Sequence, residues 1–188
     1  MKNSAQRQNI IAAARRVLER QGYEAASIKE IAKEAGIASG LIHYYFATKE
    51  ELLSQVLLTA AERHTEEMRN LTAAQAALPR GDRVHAAVEV RRKRVFEEPS
   101  WYELRYQFFA MGMTHTVYRD GVRELLARGR QGIAARLQSI LETTAEEAQP
   151  LAAVLLAAFD GLALQKLVDP GFDLDAAYRL LEERLARL

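Results

Sequence analysis

Residues 27–53 read SIKEIAKEAGIASGLIHYYFATKEELL, and the punctuation of this stretch decides the fold. Ser27 and Glu30 have the S-x-x-E spacing of a capping box, in which the serine oxygen accepts from the Glu30 N–H and the carboxylate reaches back, so a helix is predicted from about Ile28. Ile28, Ile31, Ala32 and Ala35 fall on one face at helical spacing, and Gly36 supplies the positive φ that ends a helix without steric cost. After a turn at residues 36–38, Ser39 is expected to cap a second helix with Ile42 and Phe46 facing inward. Thr48 and Glu51 form a second S/T-x-x-E pair, which opens a further helix. Ala32, Gly36 and Ile42 stand where a helix-turn-helix needs a small residue under the crossing helix, a turn residue and a branched core residue. In such a motif the second helix enters the major groove of DNA, about 12 Å wide, with its first residues against base edges. An ordinary helical hairpin with a glycine turn has the same spacing, so periodicity alone leaves both readings open.

The residue detail goes further. The stretch closely resembles the TetR family of bacterial transcriptional regulators, whose motif ends in an aromatic run followed by a lysine; here these are His43, Tyr44, Tyr45 and Phe46, then Thr48, Lys49, Glu50 and Glu51. Residues 7–14 (RQNIIAAA) and 22–27 (GYEAAS) resemble the family's first helix and the link to its second. His43 departs from the family's usual aromatic. The resemblance implies that Ala38, Ser39, Gly40, Leu41, His43 and Tyr44 form the groove-facing surface, and that Ser27, Tyr45 and Lys49 hold phosphates.

Composition agrees. In 188 residues, 49% are apolar and 27% charged, an ordinary balance for one or two small domains with a core. The net charge is only +1, but residues 1–50 hold eight Lys or Arg against five Glu, which concentrates positive charge in the N-terminal part. With no cysteine, disulfides, thiolate chemistry and sulfur-ligated metals are excluded. The first residues lack an apolar signal region, and the longest apolar run, Leu151 to Phe159, is shorter than the roughly 18–20 residues of a membrane span. A cytoplasmic protein is expected.

Helical patterning continues to the C-terminus without any sustained period-two alternation, so the expected fold class is all-α with about nine helices. The first helix is placed at about residues 6–21, with Gly22 as its stop, and the fourth at about 49–71. A loop around residues 78–82 precedes a fifth helix near 83–96, and Ser100 with Glu103 is expected to cap a sixth. A seventh spans roughly 116–141. Thr144 and Glu147 cap an eighth to about Val168, and Asp173 caps a ninth. A DNA-binding domain over 1–48 and a ligand-binding and dimerisation domain over 49–188 are expected.

The eighth helix is apolar all round, which requires burial on two sides. Either it is the core helix of a monomer or one face meets a second subunit. The resemblance favours the latter, since TetR-like proteins dimerise through the last two long helices, and Leu151, Leu155, Leu162, Gln165, Leu181 and Leu185 are the expected interface. The C-terminal half is also similar to the BetI-type subgroup. A two-fold dimer places its recognition helices about one DNA turn apart, which predicts a palindromic operator.

Residues 101–118 (WYELRYQFFAMGMTHTVY) hold the only Trp with three Tyr and two Phe. Large rings at helical spacing most often fill a core. The resemblance implies a small-molecule inducer site here, between the fourth and seventh helices, lined by His64, Met68, Trp101, Tyr102, Glu103, Arg105, Tyr106, Phe109, Met113 and Tyr118, with Phe159 from the eighth. Glu103 inside such a cavity suits a cation, and Arg105 inside it suits a carboxylate or acyl thioester; the sequence leaves both open.

Catalysis finds no support. His43, His64, His85 and His115 are far apart and form no metal spacing, no glycine-rich phosphate loop is present, and adjacent pairs such as Glu66-Glu67 diverge by about 100° on a helix. The chain is therefore expected not to be an enzyme and to need no cofactor or metal. The function expected is a homodimeric, ligand-responsive DNA-binding repressor; a helical adaptor without sequence-specific DNA binding is the alternative.

Overall fold

In the computed structural model, which describes residues 2–188, nine α-helices and no strand are found among the described residues. They are α1 (Lys2–Ala25), α2 (Ile28–Ala35), α3 (Ser39–Tyr45), α4 (Lys49–Ala74), α5 (Arg80–Glu97), α6 (Pro99–Thr114), α7 (Thr116–Leu141), α8 (Ala145–Val168) and α9 (Leu174–Ala186).

Three of the expected caps form as drawn. Ser27 and Glu30 make the reciprocal capping box of α2, Thr144 and Glu147 make that of α8, and Asp173 accepts from the Ala176 N–H at the start of α9. Gly36 takes φ 68° and ψ 34°, and the Ile37 N–H returns to the Ala32 carbonyl at 3.0 Å, which closes the last turn of α2. Gly22 breaks the helical backbone at φ 73°, as its placement after the first helix implied, although helical structure resumes to Ala25.

Other boundaries differ. Ala38, not Ser39, is the N-cap of α3 and makes no side-chain cap; Ser39 is the first helical residue, so its hydroxyl is left outside. At α4 the Glu51 N–H donates to Thr48, but the Glu51 carboxylate passes Thr48 and accepts from the Ala47 N–H at 2.8 Å. The sixth helix starts at Pro99 and includes Ser100, because proline suits a first helical position and the Trp101 N–H bonds the Glu98 carbonyl. Helix α8 contains a window long and apolar enough to cross a membrane by length and composition, which an uninterrupted run does not reveal because Asp160 divides it.

The chain divides into two compact units. One comprises the chain up to Ala60 together with Glu103–Leu125; the other comprises Ala61–Tyr102 and Leu126–Leu188. Compactness is thus drawn along different lines from a functional boundary at residue 48.

In the first unit α1 packs on α2 and α2 on α3 over Ile10, Val17, Ile31, Ala32, Ile42 and Phe46, all at most 2% exposed. Asn9 donates to the Ala35 carbonyl at 2.9 Å, and Arg16 pairs with Glu34 at 2.7 Å, fixing α1 along α2. The start of α7 joins this unit at close range. A Cβ on Gly121 would lie 2.5 Å from Ser54 Oγ and 2.9 Å from Phe108 Cζ, so only glycine lets α7 approach α4 and α6 there.

In the second unit α5 packs on α9 and α8. Arg92 bridges Glu89 on its own helix and Asp175 of α9, and His85 meets Glu182 at 3.0 Å. Beneath these pairs Val84, Val88, Leu155, Leu174 and Tyr178 are buried, and Phe159 stacks on Tyr178 with ring centres 6.1 Å apart.

Candidate functional site

Helix α3 is short and two-sided. Ile42 and the following Phe46 are 0% and 1% exposed and anchor it, while Ala38, Ser39, Gly40, Leu41, His43 and Tyr44 all face solvent. Tyr44 is 72% exposed, a large ring that no core demands. Tyr45 is half-buried beneath it, the two rings meeting edge to face at 5.1 Å. The helical period explains the split, since positions 40, 41 and 44 lie opposite 42 and 46. This face offers a hydroxyl, an imidazole and a phenol as hydrogen-bonding groups beside an apolar Leu41, a set suited to base edges and thymine methyls.

Two of the expected phosphate contacts are otherwise engaged. The Ser27 hydroxyl donates to Glu30 at 3.0 Å and accepts from the Glu30 N–H, so its hydrogen is already committed to the cap. Lys49 Nζ donates to the Tyr23 carbonyl at 2.5 Å and lies 4.0 Å from the centre of the Tyr23 ring. In this structure, which holds no DNA, the Lys49 side chain is turned to Tyr23 and holds the start of α4 to the end of α1. Of the first N–H groups of α4, that of Glu51 donates to Thr48, and the carboxylates of Glu50 and Glu51 stand in this first turn. Exposed cations are supplied instead by Lys29 and Lys33 on α2, the helix that crosses the backbone in such motifs. Their alternation with Glu30 and Glu34 hid them in the sequence, where the run reads as an ordinary solvated face.

Behind this surface lies a polar knot. The Tyr23 phenol donates to Glu50 Oε1 at 2.8 Å, and the Tyr118 hydroxyl joins them. Burial pushes the Tyr23 phenol far above its usual range, reinforced by Glu50. Burial also pushes Glu50 upward, but hydrogen bonds from its own backbone, Tyr23, Thr48 and Tyr118 outweigh it and hold the carboxyl below its ordinary value. Tyr118 is raised chiefly by burial. The knot ties the last turn of α1, the first turn of α4 and the first turn of α7 together within one compact unit.

The expected inducer-site residues fall in both compact units, and the structure sorts them. Glu103 and Met113 face solvent, Met113 at 74% exposure, because they lie on the side of α6 opposite Leu104 and Phe108. Trp101 and Tyr102 are packed shut at 4% and 3%, with Arg94 5.2 Å over the Trp101 ring. Arg105 is buried over Phe109 at 5.0 Å, Tyr106 sits 6.4 Å from Phe109, and His64 is half-buried. Tyr118 lines a hollow of about 480 Å³ in the first unit with Glu50, Glu51 and Phe108.

The second unit has an apolar hollow of about 440 Å³ between α5, α7, α8 and α9. Its walls are Val84, Ala87, Val88, Ile133, Leu137, Ile140, Leu141, Leu155, Phe159 and Leu185, with Arg136 as the one charged group lining it. Phe159 is the only member of the expected ligand set in these walls. Met68 lines an adjoining smaller hollow with Thr72, Gln75, Arg83 and Arg136. Sequence reasoning missed Arg136, whose place between Ala135 and Leu137 reads as the solvated edge of an amphipathic helix. Among the described residues no group of three or more His, Asp or Glu side chains is placed to hold a metal ion.

Comparison with known proteins settles what this arrangement belongs to. Residues 10–56 match the family described as bacterial regulatory proteins, tetR family, and residues 80–188 match the BetI-type transcriptional repressor, C-terminal. The chain belongs to the TetR family. It is a helix-turn-helix transcriptional regulator with a BetI-type C-terminal region.

Among curated relatives, the regulator PksA of Bacillus subtilis is 28% identical over 87% of this chain and 80% of its own length. BetI of Rhizobium meliloti is 27% identical over 94% and 86%. Among solved structures, a TetR-family transcriptional regulator from Mesorhizobium loti superposes with a TM-score of 0.77 at 17% identity, covering 98% of this chain and 95% of that one. The multidrug binding protein EbrR, complexed with proflavin, gives 0.66 at 25% identity, covering 96% and 99%.

In this TetR regulator the helices expected to form the dimer divide inward and outward. Leu155 and Leu185 are 4% and 8% exposed and line the 440 Å³ hollow, so they face the subunit's own interior. Leu151, Leu162 and Leu181 are half-buried, and Gln165 is exposed. The outward stripe of α8 runs through Val154 (64% exposed), Ala157, Gly161, Leu164 (45%) and Val168 (76%), joined on α9 by Leu180 (54%). An all-apolar helix conceals which face is which; only the neighbours of α8 decide it.

Proposed function

We infer that this regulator is a homodimeric repressor acting in the cytoplasm, which binds a palindromic operator through α3 and is released by a small molecule held among its C-terminal helices. The observation that carries the reading is the outward face of α3, where Tyr44 at 72% and Leu41 at 37% exposure stand beside His43 and Ser39 on a helix anchored by Ile42. Gly40 has nothing within 4 Å of its Cβ direction, which leaves backbone free to approach a groove. Lys29 and Lys33, with Tyr45, are the phosphate contacts this surface supports.

The uncovered stripe of α8 and α9 supports a second copy as its cover, since contiguous exposed apolar surface on this scale marks an interaction site. A two-fold operation on that stripe gives two α3 helices and hence a palindrome. Helix α4 runs from residue 49 beside α3 into the second compact unit, and it is the natural carrier of an effector's influence. An effector acts only through its differential affinity for the released state; about 1–3 kcal/mol, or 5- to 150-fold, is an ordinary coupling. The similar multidrug binding protein EbrR, which was solved in complex with proflavin, supports a small organic molecule as the effector.

A gel shift of the full chain against fragments covering its own upstream region tests the reading. A retarded, competitor-resistant band with one fragment is expected. Persistent absence of any sequence-dependent shift would favour a helical adaptor.

A further inference from the structure

Among the described residues, Arg136 is paired with no carboxylate. It is half-buried on α7, and it lines three hollows of the second unit at once: the apolar one of about 440 Å³, the adjoining one of about 230 Å³, and a more polar one of about 600 Å³ that includes Thr65, Thr72 and Ser139. Among the described residues the polar partner of its guanidinium is the thioether sulfur of Met68, 3.1 Å from Nη1. A thioether is a weak acceptor and returns little of what a guanidinium loses on leaving water. Burial, together with the nearby Arg91, pushes the Arg136 pKa down to about 9.

The surroundings deepen the deficit. Among the described residues, none that lines these three hollows is Asp or Glu. Arg83 lines the second hollow and donates to the Ser139 carbonyl, and Arg69 lines the third, already paired with Glu66 on its own helix. Arg136 is thus the one charged group on an otherwise apolar hollow, the usual character of a small-molecule site, in which apolar walls surround a few placed polar groups. A quaternary ammonium in the apolar hollow would meet the Arg136 guanidinium and no carboxylate. An anion would supply the charge that is missing, and the planar fork of Arg136 suits a carboxylate bidentately.

We propose that the second unit binds an amphipathic organic acid, with its carboxylate on Arg136 and its apolar body between Val88, Leu137, Leu155 and Phe159. The assignment rests on reading this unit as the effector domain and names the ligand class that domain selects.

The test uses three ten-carbon probes of like shape and different charge, namely decanoate, decanol and decyltrimethylammonium, with the full chain by calorimetry in the absence of DNA. Decanoate is expected to bind at least about tenfold more tightly than decanol, the size of a charge-assisted hydrogen bond in a desolvated site, and the cation least of all. Arg136→Met should remove that advantage, so that decanoate binds no more tightly than decanol to the variant, and Arg136→Lys should restore part of it, because the charge returns without the fork. Equal binding of all three probes, or decanoate affinity indifferent to both substitutions, would overturn the proposal. Inorganic sulfate serves as the bare-anion control, and displacement of decanoate by sulfate at equal concentration would show an ion site without a tail site, overturning it too. A separate arm measures DNA binding by anisotropy. Decanoate that binds through Arg136 yet leaves the protein on its DNA supports the anion site and overturns only release by this effector.

Discussion

Lys49 Nζ donates to the backbone carbonyl of Tyr23 at 2.5 Å and stands 4.0 Å from the centre of the Tyr23 ring. The lysine is thus a tether between α4 and the end of α1. A charge-assisted hydrogen bond and a cation–π contact at a part-buried site together contribute about 1–2 kcal/mol. Lys49→Met should lower the thermal midpoint by about 2–4 °C for each kcal/mol lost. The slope of log affinity against log salt should stay within about half a unit of the parent, whereas a fall of a full unit would return Lys49 to the phosphate contacts.

The same knot predicts a pH dependence. Glu50 has its carboxyl held below the ordinary value by hydrogen bonds that prevail over burial, so the folded state binds its proton less readily than the unfolded chain. The associated stability is present above the unfolded pKa of about 4.3 and is lost as pH falls through the lower folded value. Glu50→Gln should therefore destabilise the protein by about 1 kcal/mol at pH 7, with the difference shrinking toward nothing in the acid limb. Urea titrations at pH 7 and pH 3.5 measure it, and an equal penalty at both would show that packing, not ionisation, is what Gln fails to reproduce.

Tyr44 separates recognition from folding. At 72% exposure its ring contributes little to the core, so Tyr44→Ala should leave the thermal midpoint within about 1 °C. If the ring meets base edges, the variant should lose discrimination between operator and scrambled DNA, a loss worth about 1–3 kcal/mol. Equal weakening on both DNAs would move Tyr44 to the backbone contacts.

The chain's local signals and its tertiary decisions were legible to different degrees. Capping boxes at Ser27 and Thr144, the glycine at 36 and the aromatic run before Lys49 are short-range chemistry, and they place helices and family alike. Lys49 shows the limit: its residue type and position were readable, but whether its ammonium met a phosphate or the Tyr23 carbonyl depended on a contact 26 residues away. The α6 aromatics show another. Rings at helical spacing suit a core and a cavity equally, and the buried Trp101 beside the exposed Met113 was settled by which neighbours α6 found. Arg136 carried no signal at all, since an arginine among alanines and leucines is the commonest form of a helix edge.

Helix α8 puts the proposed dimer seam to a direct test, because its leucines face opposite ways. Leu155 lines the interior hollow, while Leu164 belongs to the outward stripe with Val154, Gly161 and Val168. Gly161 has no atom within 4 Å of its Cβ direction in the single chain, so the subunit's own packing does not require glycine there, and the proposed seam would bring a partner helix close to it. Leu164→Glu should place charge in that seam and convert a dimer to a monomer in light scattering, with the helical signal in circular dichroism retained. Leu155→Ala should do the reverse, costing about 2–5 kcal/mol of stability through a cavity while the assembled species remains dimeric. Gly161→Leu provides the third point: it should weaken association without unfolding the subunit. A Leu164→Glu protein that remains dimeric at micromolar concentration would take the seam off this face of α8, and with it the geometric basis for two α3 helices set one turn of DNA apart.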